Sequence, residues 1–180
     1  MTGAELYGRF LAGDDESFTT LVKTYRNALT GFIANIICNE TDAEDIAIDA
    51  FAILMSRKKK LNENVSFKTF LFSIGKNLSF KYLRKNRKKP LLLNEAFEDG
   101  WVITGSPSVE DDFFSELDKK RLSACMRQLK PDHRSVLHLL YFEGLSYAEA
   151  GQVMGKTEGQ IRGLASRARE KLKIIFEGNV

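Results

Sequence analysis

The sequence predicts an all-α protein built from two small helical domains joined by an acidic linker. Apolar residues recur at helical spacings of three and four through most of the 180 residues, and no stretch shows the sustained alternation typical of a half-buried strand. In the middle of the chain this period stops, and glycine and proline interrupt a run of acidic residues. Two periodic parts on either side of an aperiodic acidic part therefore indicate this architecture.

The charge distribution separates the same three parts of the chain. Residues 1–89 carry 15 basic and 10 acidic side chains, residues 90–118 carry eight acidic and no basic ones, and residues 119–180 carry 12 basic and six acidic ones. Basic segments are typical of contact with nucleic acid. We therefore predict a first domain at residues 1–89, an acidic linker at 90–116 and a second domain at 117–180.

The first domain is predicted to contain four helices, at residues 6–11, 16–38, 42–57 and 67–89. Thr41, followed three positions later by Glu44, has the capping-box pattern for the start of the third helix. Ser66 is a candidate N-cap for the fourth helix. Pro90 would end that helix, because proline disfavours helical geometry in the residue before it.

The second domain is predicted to contain helices at residues 112–129, 131–142, 146–154 and 158–176. Pro131 suits the first turn of its helix, where a missing N–H costs no hydrogen bond. Ser146 and Thr157 are candidate N-caps for the last two helices. Between them Gly155 can adopt the positive φ of a sharp break, and Gly151 allows a close crossing. The last two helices therefore form either a helix-turn-helix that reads DNA or a plain helical hairpin with a solvated basic face.

The stretch LKPDHRSVLHLLYFEGLSYAEA, residues 129–150, resembles region 4 of the bacterial extracytoplasmic-function (ECF) sigma factors, and Arg167-Ala168-Arg169 matches the end of the family's recognition helix. The resemblance implies that this domain binds the upstream (−35) promoter element and the flap of the RNA polymerase β subunit. The N-terminal end of such a helix reaches base edges in the major groove. The residues expected to contact the −35 element are Thr157, Glu158, Gln160, Arg162, Gly163, Ser166 and Arg167.

Two residues of the predicted recognition helix depart from the family pattern. Gly163 stands where serine is usual, and Leu164 stands where arginine is usual. A glycine inside a helix costs about 1 kcal/mol relative to alanine, and the loss of an arginine removes a potential contact with phosphate or base. These departures predict weak or unusual reading of the −35 element, which a partner protein could compensate.

The third predicted helix carries an acidic motif. Residues 42–51, DAEDIAIDAF, resemble region 2.2 of the same sigma factors, which implies docking on the coiled coil of the polymerase β′ clamp. Acidic side chains can meet basic ones on the clamp while apolar neighbours seal the contact. The alternative is that these acids only complement a helix dipole. The residues expected at the clamp are Asp42, Glu44, Asp45, Asp49 and Phe51.

The fourth predicted helix, residues 67–89, resembles regions 2.3 and 2.4, with Asn77 and Arg84 at family positions. The resemblance implies contact with the −10 element and places the loop at residues 60–66 where family members hold a flipped base. Pocket contacts and stacking repay the cost of extruding that base. The alternative for the basic run at residues 84–89 is a solvated helix end. The residues expected to contact −10 DNA are Asn62, Asn64, Phe70, Lys76, Asn77, Lys81, Arg84, Lys85 and Arg87.

The sequence disfavours several other kinds of protein. No apolar run approaches the roughly 18 residues of a membrane span, and the N-terminus has no signal-peptide pattern. Cys38 and Cys125 are isolated, and His133 and His138 lie on different faces of their helix, so no metal-ligand spacing is present. We therefore expect a cytoplasmic protein that is not an enzyme and needs no metal or cofactor.

Together these features predict an ECF-type sigma factor that binds core RNA polymerase, directs it to promoters and helps to open the −10 region. By the same resemblance the acidic linker threads through the polymerase cleft, although a tether extended by self-repulsion is an alternative. An anti-sigma factor is a further implied partner. Two other functions stay open: a sigma-like polymerase adaptor that relies on a partner for targeting, and a stand-alone helix-turn-helix regulator.

Overall fold

The structure, a computed structural model, describes residues 1–87 and 116–178. Within these residues every regular element is a helix, which confirms the predicted all-α class. The acidic linker predicted at 90–116, apart from Glu116, lies outside the described residues. The fourth helix, predicted to run to residue 89 and to be ended by Pro90, ends earlier, at Lys85 with Asn86 as its C-cap, so this prediction is wrong. We call residues 1–87 the N-terminal unit and residues 116–178 the C-terminal unit.

The N-terminal unit consists of α1 (Gly3–Leu11), α2 (Asp15–Ile37), α3 (Glu40–Arg57) and α4 (Phe67–Lys85). The C-terminal unit consists of α5 (Glu116–Arg127), α6 (Pro131–Leu137), a π-helical turn (His138–Phe142), α7 (Tyr147–Met154) and α8 (Glu158–Gly178). The predicted helix at residues 131–142 therefore changes hydrogen-bonding pattern at His138, where the N–H of Glu143 bonds five residues back.

Side-chain caps fix where several helices begin, as the sequence predicts. The Ser66 hydroxyl accepts a hydrogen bond from the first turn of α4. Ser146 does the same for α7, and Glu149 completes a capping box by bonding back to the N–H of Ser146. The hydroxyl of Thr157 accepts the N–H of Gln160 at the start of α8. These contacts satisfy N–H groups that have no partner within the helix.

The junction between α2 and α3 differs from the prediction. Cys38 ends α2 in the left-handed conformation, with φ of 55°, so the chain has already turned by the next residue. Asn39 is the N-cap of α3, and its side chain accepts the N–H of Asp42. Thr41 consequently lies inside the first turn, and the prediction that Thr41 caps this helix is wrong.

Helix α2 lies at the centre of the N-terminal unit, with α1, α3 and α4 packed against it. Most of its apolar period is buried, while Phe18, Val22 and Tyr25 near its N-terminal end are half-buried. A Cβ atom at Gly75 of α4 would come within 2.8 Å of the Leu29 side chain, so the glycine permits close packing of α4 on α2. The result is a packed frame that supports the outer faces of α3 and α4.

The two units pack against each other. Helix α6 contacts α2, and α7 contacts α4, while α8 packs on α6 and α7. The buried apolar residues of both units belong to one continuous cluster. This packing brings the predicted −10 helix, α4, alongside the first helix of the predicted DNA-reading pair.

Candidate nucleic-acid and polymerase interfaces

Helices α7 and α8 form a helix-turn-helix. Gly155 ends α7 with φ of 65°, the left-handed conformation expected for the break. A Cβ atom at Gly151 would lie 2.6 Å from the backbone oxygen of Lys156, closer than real Cβ atoms come. Only glycine therefore lets the turn fold back onto α7. Ile161 and Leu164 are buried and hold α8 in place, which leaves its opposite face to solvent.

The N-terminal half of α8 presents a polar surface. Thr157 and Gln160 pair with each other, because Gln160 Oε1 accepts the N–H of Thr157 at 2.9 Å and Thr157 Oγ1 accepts the N–H of Gln160 at 3.2 Å. These two side chains thus stabilise the start of the helix. The structure brings all seven predicted residues together, and all but half-buried Gly163 are exposed. We call this the upstream surface: Thr157, Glu158, Gln160, Arg162, Gly163, Ser166 and Arg167.

Gly163 has a local consequence that the sequence does not reveal. A Cβ atom there would lie 3.2 Å from Nη1 of Arg167, tighter than ordinary contact. The absence of a side chain therefore lets the Arg167 guanidinium lie back over the helix. The glycine that weakens the helix intrinsically also leaves room for a cation on the upstream surface.

Tyr147 is a functional candidate that the sequence does not single out, because its partners lie on another helix. The Arg162 guanidinium carbon lies 4.4 Å from the centroid of the Tyr147 ring. Arg169 Nη1 donates to the Tyr141 hydroxyl at 3.2 Å. Desolvation would lower the pKa of Arg169, but its interactions with Tyr141 and Tyr147 outweigh this and raise that pKa. The sequence feature that could have indicated Tyr147 is an aromatic residue directly after the N-cap Ser146.

The outer face of α3 is acidic and partly apolar. Glu44, Asp45 and Asp49 are exposed, as predicted for a protein contact. Ile48 is 56% exposed and Met55 49% exposed, so large apolar side chains stand among the acids. Charged groups around exposed apolar ones are typical of a protein-binding patch. We call these five residues the acidic surface.

Two other residues predicted for the clamp contact lie elsewhere. Phe51 is 6% exposed and packs edge-on against Phe18, so its ring belongs to the core and does not reach the acidic surface. Asp42 is half-buried, and its carboxylate accepts hydrogen bonds from the Tyr82 hydroxyl and from Asn39. Burial of the Tyr82 hydroxyl is the main cause that raises the pKa of Tyr82 to about 12, and its hydrogen bond to Asp42 is the second cause. Asp42 thus joins α3 to α4, whatever else it contacts.

The outer face of α4 carries the predicted −10 residues in two groups. Asn77, Lys81, Arg84, Lys85 and Arg87 are exposed. Lys76 and Phe70 are half-buried. The Lys76 ammonium lies 5.4 Å from the Phe80 ring centroid, and burial lowers the pKa of Lys76.

The loop before α4 exposes Asn62 and Asn64. It is anchored where the Tyr7 hydroxyl donates to the Lys59 carbonyl at 2.9 Å. Gln152 of α7 donates to the Asn64 carbonyl at 3.3 Å, so the C-terminal unit touches this loop. We call the loop and the exposed face of α4 together the downstream surface.

Arg134 joins the two units from a buried position on α6. The residue is 6% exposed. Its Nε donates to the Asn35 carbonyl at 2.8 Å, and its Nη2 donates to the Ile36 carbonyl at 2.6 Å. Its Nη1 donates to the carbonyls of Arg127, at 3.1 Å, and Leu129 within the C-terminal unit. The guanidinium therefore satisfies carbonyl groups at the C-terminal end of α2 and of α5.

A second polar bridge between the units centres on Glu143, whose side chain is 5% exposed. Lys68 Nζ of α4 lies 2.7 Å from Glu143 Oε2, and His138 Nε2 lies 3.1 Å from Oε1. The His138 ring in turn packs against Phe32 of α2. Burial would raise the pKa of Glu143, but the hydrogen bonds and charges of His138 and Lys68 outweigh it and lower that pKa.

The described residues contain no cluster of three histidine, cysteine, aspartate or glutamate side chains that could hold a metal ion. In the same part of the chain, no helix combines the length and the apolar character needed to cross a membrane.

Comparison with family models matches both units. Residues 21–89 match the model described as Sigma-70 region 2, and residues 125–173 match the model described as Sigma-70, region 4. The first match ends where the predicted first domain ends, and it contains both the acidic and the downstream surfaces. The second match contains the helix-turn-helix and the upstream surface.

Comparison with whole proteins gives similar results. The chain is 28% identical over 174 residues to the RNA polymerase sigma-H factor of Pseudomonas aeruginosa, covering 93% of this chain and 90% of that protein. It is 27% identical over 167 residues to the ECF RNA polymerase sigma factor SigW of Bacillus subtilis, covering 89% of each. Among solved structures, a similar fold is found in the sigma factor RpoE in complex with the anti-sigma factor NepR from Bartonella quintana. The TM-score is 0.69 at 22% sequence identity, and the match covers 90% of this chain and 98% of that one.

Proposed function

The chain belongs to the sigma-70 family, as an ECF-type sigma factor that binds core RNA polymerase and directs it to promoters, and we propose that its three surfaces divide this work. The acidic surface docks on polymerase, the downstream surface binds the −10 element, and the upstream surface binds the −35 element. The observation that carries the proposal is that each of the two matched regions holds its own exposed basic helix face on a packed frame.

The acidic surface on α3 suits a basic coiled coil such as the β′ clamp. Asp45 and Asp49 stand one turn apart, and Ile48 lies between them. Complementary charge would steer the encounter, and the exposed apolar side chains would be buried in the complex. Glu44 adds to the acidic charge. Asp42 contributes indirectly, by fixing the start of α3 against α4.

The downstream surface suits single-stranded −10 DNA. Lys81, Arg84, Lys85 and Arg87 form a cationic track along α4 that can follow phosphate groups. Asn62 and Asn64 provide exposed amides in the loop before α4, at the opposite end of the helix from the track, where an extruded base can be bound through its hydrogen-bonding edge. Lys76 and Phe70, both half-buried, support this face from beneath.

Binding to both promoter elements requires the two units to separate, with domains at residues 1–89 and 117–180 and a linker at 90–116. Elements about 25 base pairs apart lie about 85 Å apart on B-DNA at 3.4 Å per base pair. The Gln152–Asn64 contact instead holds the units together at 3.3 Å. The chain between Arg87 and Glu116 can span up to about 100 Å when fully extended, which is sufficient.

The chain itself catalyses no bond chemistry in this proposal, and its contribution is positioning and strand separation. The complex of RpoE with an anti-sigma factor indicates a further class of partner, and we include a protein inhibitor of this class among the partners of this chain. Placement of the chain in the cytoplasm with RNA polymerase completes the proposal.

Runoff transcription tests the proposed function directly. Purified protein would be combined with core RNA polymerase from its own host on a randomised promoter library. We expect recovered templates to share paired −10 and −35 motifs. A −10 motif alone would indicate the adaptor function, because the upstream surface would then have no reading role. Binding to DNA without binding to polymerase would leave a stand-alone regulator.

A further inference from the structure

The environment of Arg162 sets it apart from the other cations of the upstream surface. Its guanidinium lies over the Tyr147 ring, with 4.4 Å from Cζ to the ring centroid. Its Nη2 also donates to Glu158 Oε1 at 2.6 Å, although its side chain is 59% exposed. An exposed arginine held on two sides is unusual, because a long side chain loses rotamer freedom in such a position.

The chemistry of the guanidinium shows what this arrangement leaves free. Stacking uses the face of the planar group, and Glu158 takes a donor on Nη2. Nη2 carries two N–H groups, one beside Nε–H and one beside Nη1, and Glu158 accepts only one of them. One edge with two parallel donors, either Nε with Nη2 or Nη1 with Nη2, therefore remains for a further acceptor. The Arg162 side chain lies in the second turn of α8. In a recognition helix, this N-terminal end is the part that reaches base edges. A donor pair in one plane matches the O6 and N7 acceptors of guanine.

We propose that Arg162 reads a guanine in the upstream element and that Tyr147, on the preceding helix, is the positioning residue that holds the Arg162 guanidinium plane for this contact. Glu158 assists from within α8. This inference rests on the proposed function of α8 and adds to it both a specificity-determining residue and a base.

The hydroxyl of Tyr147 has a separable task. Arg169, further along α8 than Arg162, donates to the Tyr141 hydroxyl at 3.2 Å and also interacts with Tyr147. An arginine at that distance from the helix N-terminus suits phosphate contact, which carries no sequence information. The ring of Tyr147 therefore serves base reading, and its hydroxyl serves backbone binding. Variants that keep one and remove the other can distinguish the two.

The experiment uses the full chain with core RNA polymerase on a library whose −10 region is fixed and whose upstream positions are randomised. Wild-type protein is expected to enrich guanine at one upstream position. Arg162→Ala and Arg162→Lys should both lose this preference by about tenfold or more, because lysine lacks the planar pair of donors. Tyr147→Leu should weaken the same preference at that position alone. Tyr147→Phe, which keeps the ring, should retain it.

Arg169→Ala is the matched control: it should weaken binding at all sequences, reduce the salt dependence and leave the base preference unchanged. If wild-type protein enriches an upstream motif that neither Arg162→Lys nor Tyr147→Leu alters, the inference is overturned and the proposed function stands. If wild-type protein enriches no upstream motif, the proposed role of α8 fails as well. Thermal unfolding of Tyr147→Leu shows whether this variant has a folding defect. If it has one, the base preference of Arg162→Lys decides whether the inference stands.

Discussion

Arg134 and Arg162 show how differently one type of side chain acts in two regions of this molecule. Arg134 is 6% exposed and bonds to backbone carbonyls of both units. Arg162 has a 59% exposed side chain and contacts only side chains in the described structure, Glu158 and Tyr147. The buried cation holds the two units together in the packed arrangement. The exposed cation keeps donors for a ligand, and the comparison separates structural residues from reading residues in a chain rich in both.

The largest effect is expected at Arg134. Arg134→Ala would leave buried carbonyl groups at the ends of α2 and α5 without donors, and we expect it to lower the free energy of unfolding by about 3–5 kcal/mol. Urea unfolding followed by circular dichroism measures this. Arg134→Lys should recover only part of the loss, since an ammonium cannot reach all four carbonyl oxygens in one plane. Full stability in Arg134→Ala would refute the structural role.

The contact between the units should weaken in acid because of Glu143. The pKa of Glu143 is lowered in the folded chain, so its contribution is complete above the ordinary carboxyl value of 4.5 and is lost as pH falls below that value toward the lowered pKa. Glu143→Gln should lower stability by about 1–3 kcal/mol at pH 7 and flatten the loss in acid. Unfolding measured from pH 7 to pH 3 tests this.

Glu63→Gln is the control for this titration, because Glu63 is an exposed carboxyl in the loop before α4. It should leave the loss of stability in acid unchanged. A Glu143→Gln variant with the same steep loss as the wild type would show that other carboxyl groups dominate the acid response.

The turn of the helix-turn-helix offers a matched pair of glycines. Gly151→Ala places a Cβ atom against the Lys156 carbonyl and should destabilise the chain by about 1–3 kcal/mol. Gly159→Ala meets nothing within 4 Å on the exposed side of α8 and should stabilise it by about 0.5–1 kcal/mol. Thermal unfolding of both variants checks the opposite signs, and equal shifts would contradict the close crossing.

The smallest effect on stability is expected on the upstream surface. Arg162→Ala should change the free energy of unfolding by no more than about 0.5 kcal/mol, because surface changes away from the core are usually this small. Chemical denaturation under the conditions used for Arg134→Ala measures it. A loss as large as that of Arg134→Ala would remove the distinction between the two arginines.

Much of the fold was readable from the sequence, because helical period and capping residues act locally. Ser66, Ser146 and Gly155 each do what the local pattern predicts. The prediction for Thr41 fails because Cys38 adopts a left-handed conformation that few side chains favour, so Asn39 becomes the N-cap and the helix begins at Glu40. That ending depends on tertiary packing, which a local pattern does not contain.

The surfaces were only partly predictable, for a related reason. Asp45 and Asp49 follow from the resemblance and are exposed. Phe51 belongs to the same motif, but its ring lies in the core. A sequence motif does not show which way a side chain points. The sequence does not single out Tyr147 and Arg134, because their partners are distant in the sequence. Contacts between elements are the part that only three-dimensional structure supplies.

Site-specific crosslinking in the promoter complex tests the central claim most directly. A photoreactive amino acid would replace Lys81 of the downstream surface or Ser166 of the upstream surface, and crosslinked bases would be mapped in complexes with core RNA polymerase. The account predicts crosslinks from position 81 within the −10 element and from position 166 within the −35 element of the same promoter. Crosslinks from both positions to one element, or none from position 166, would contradict it.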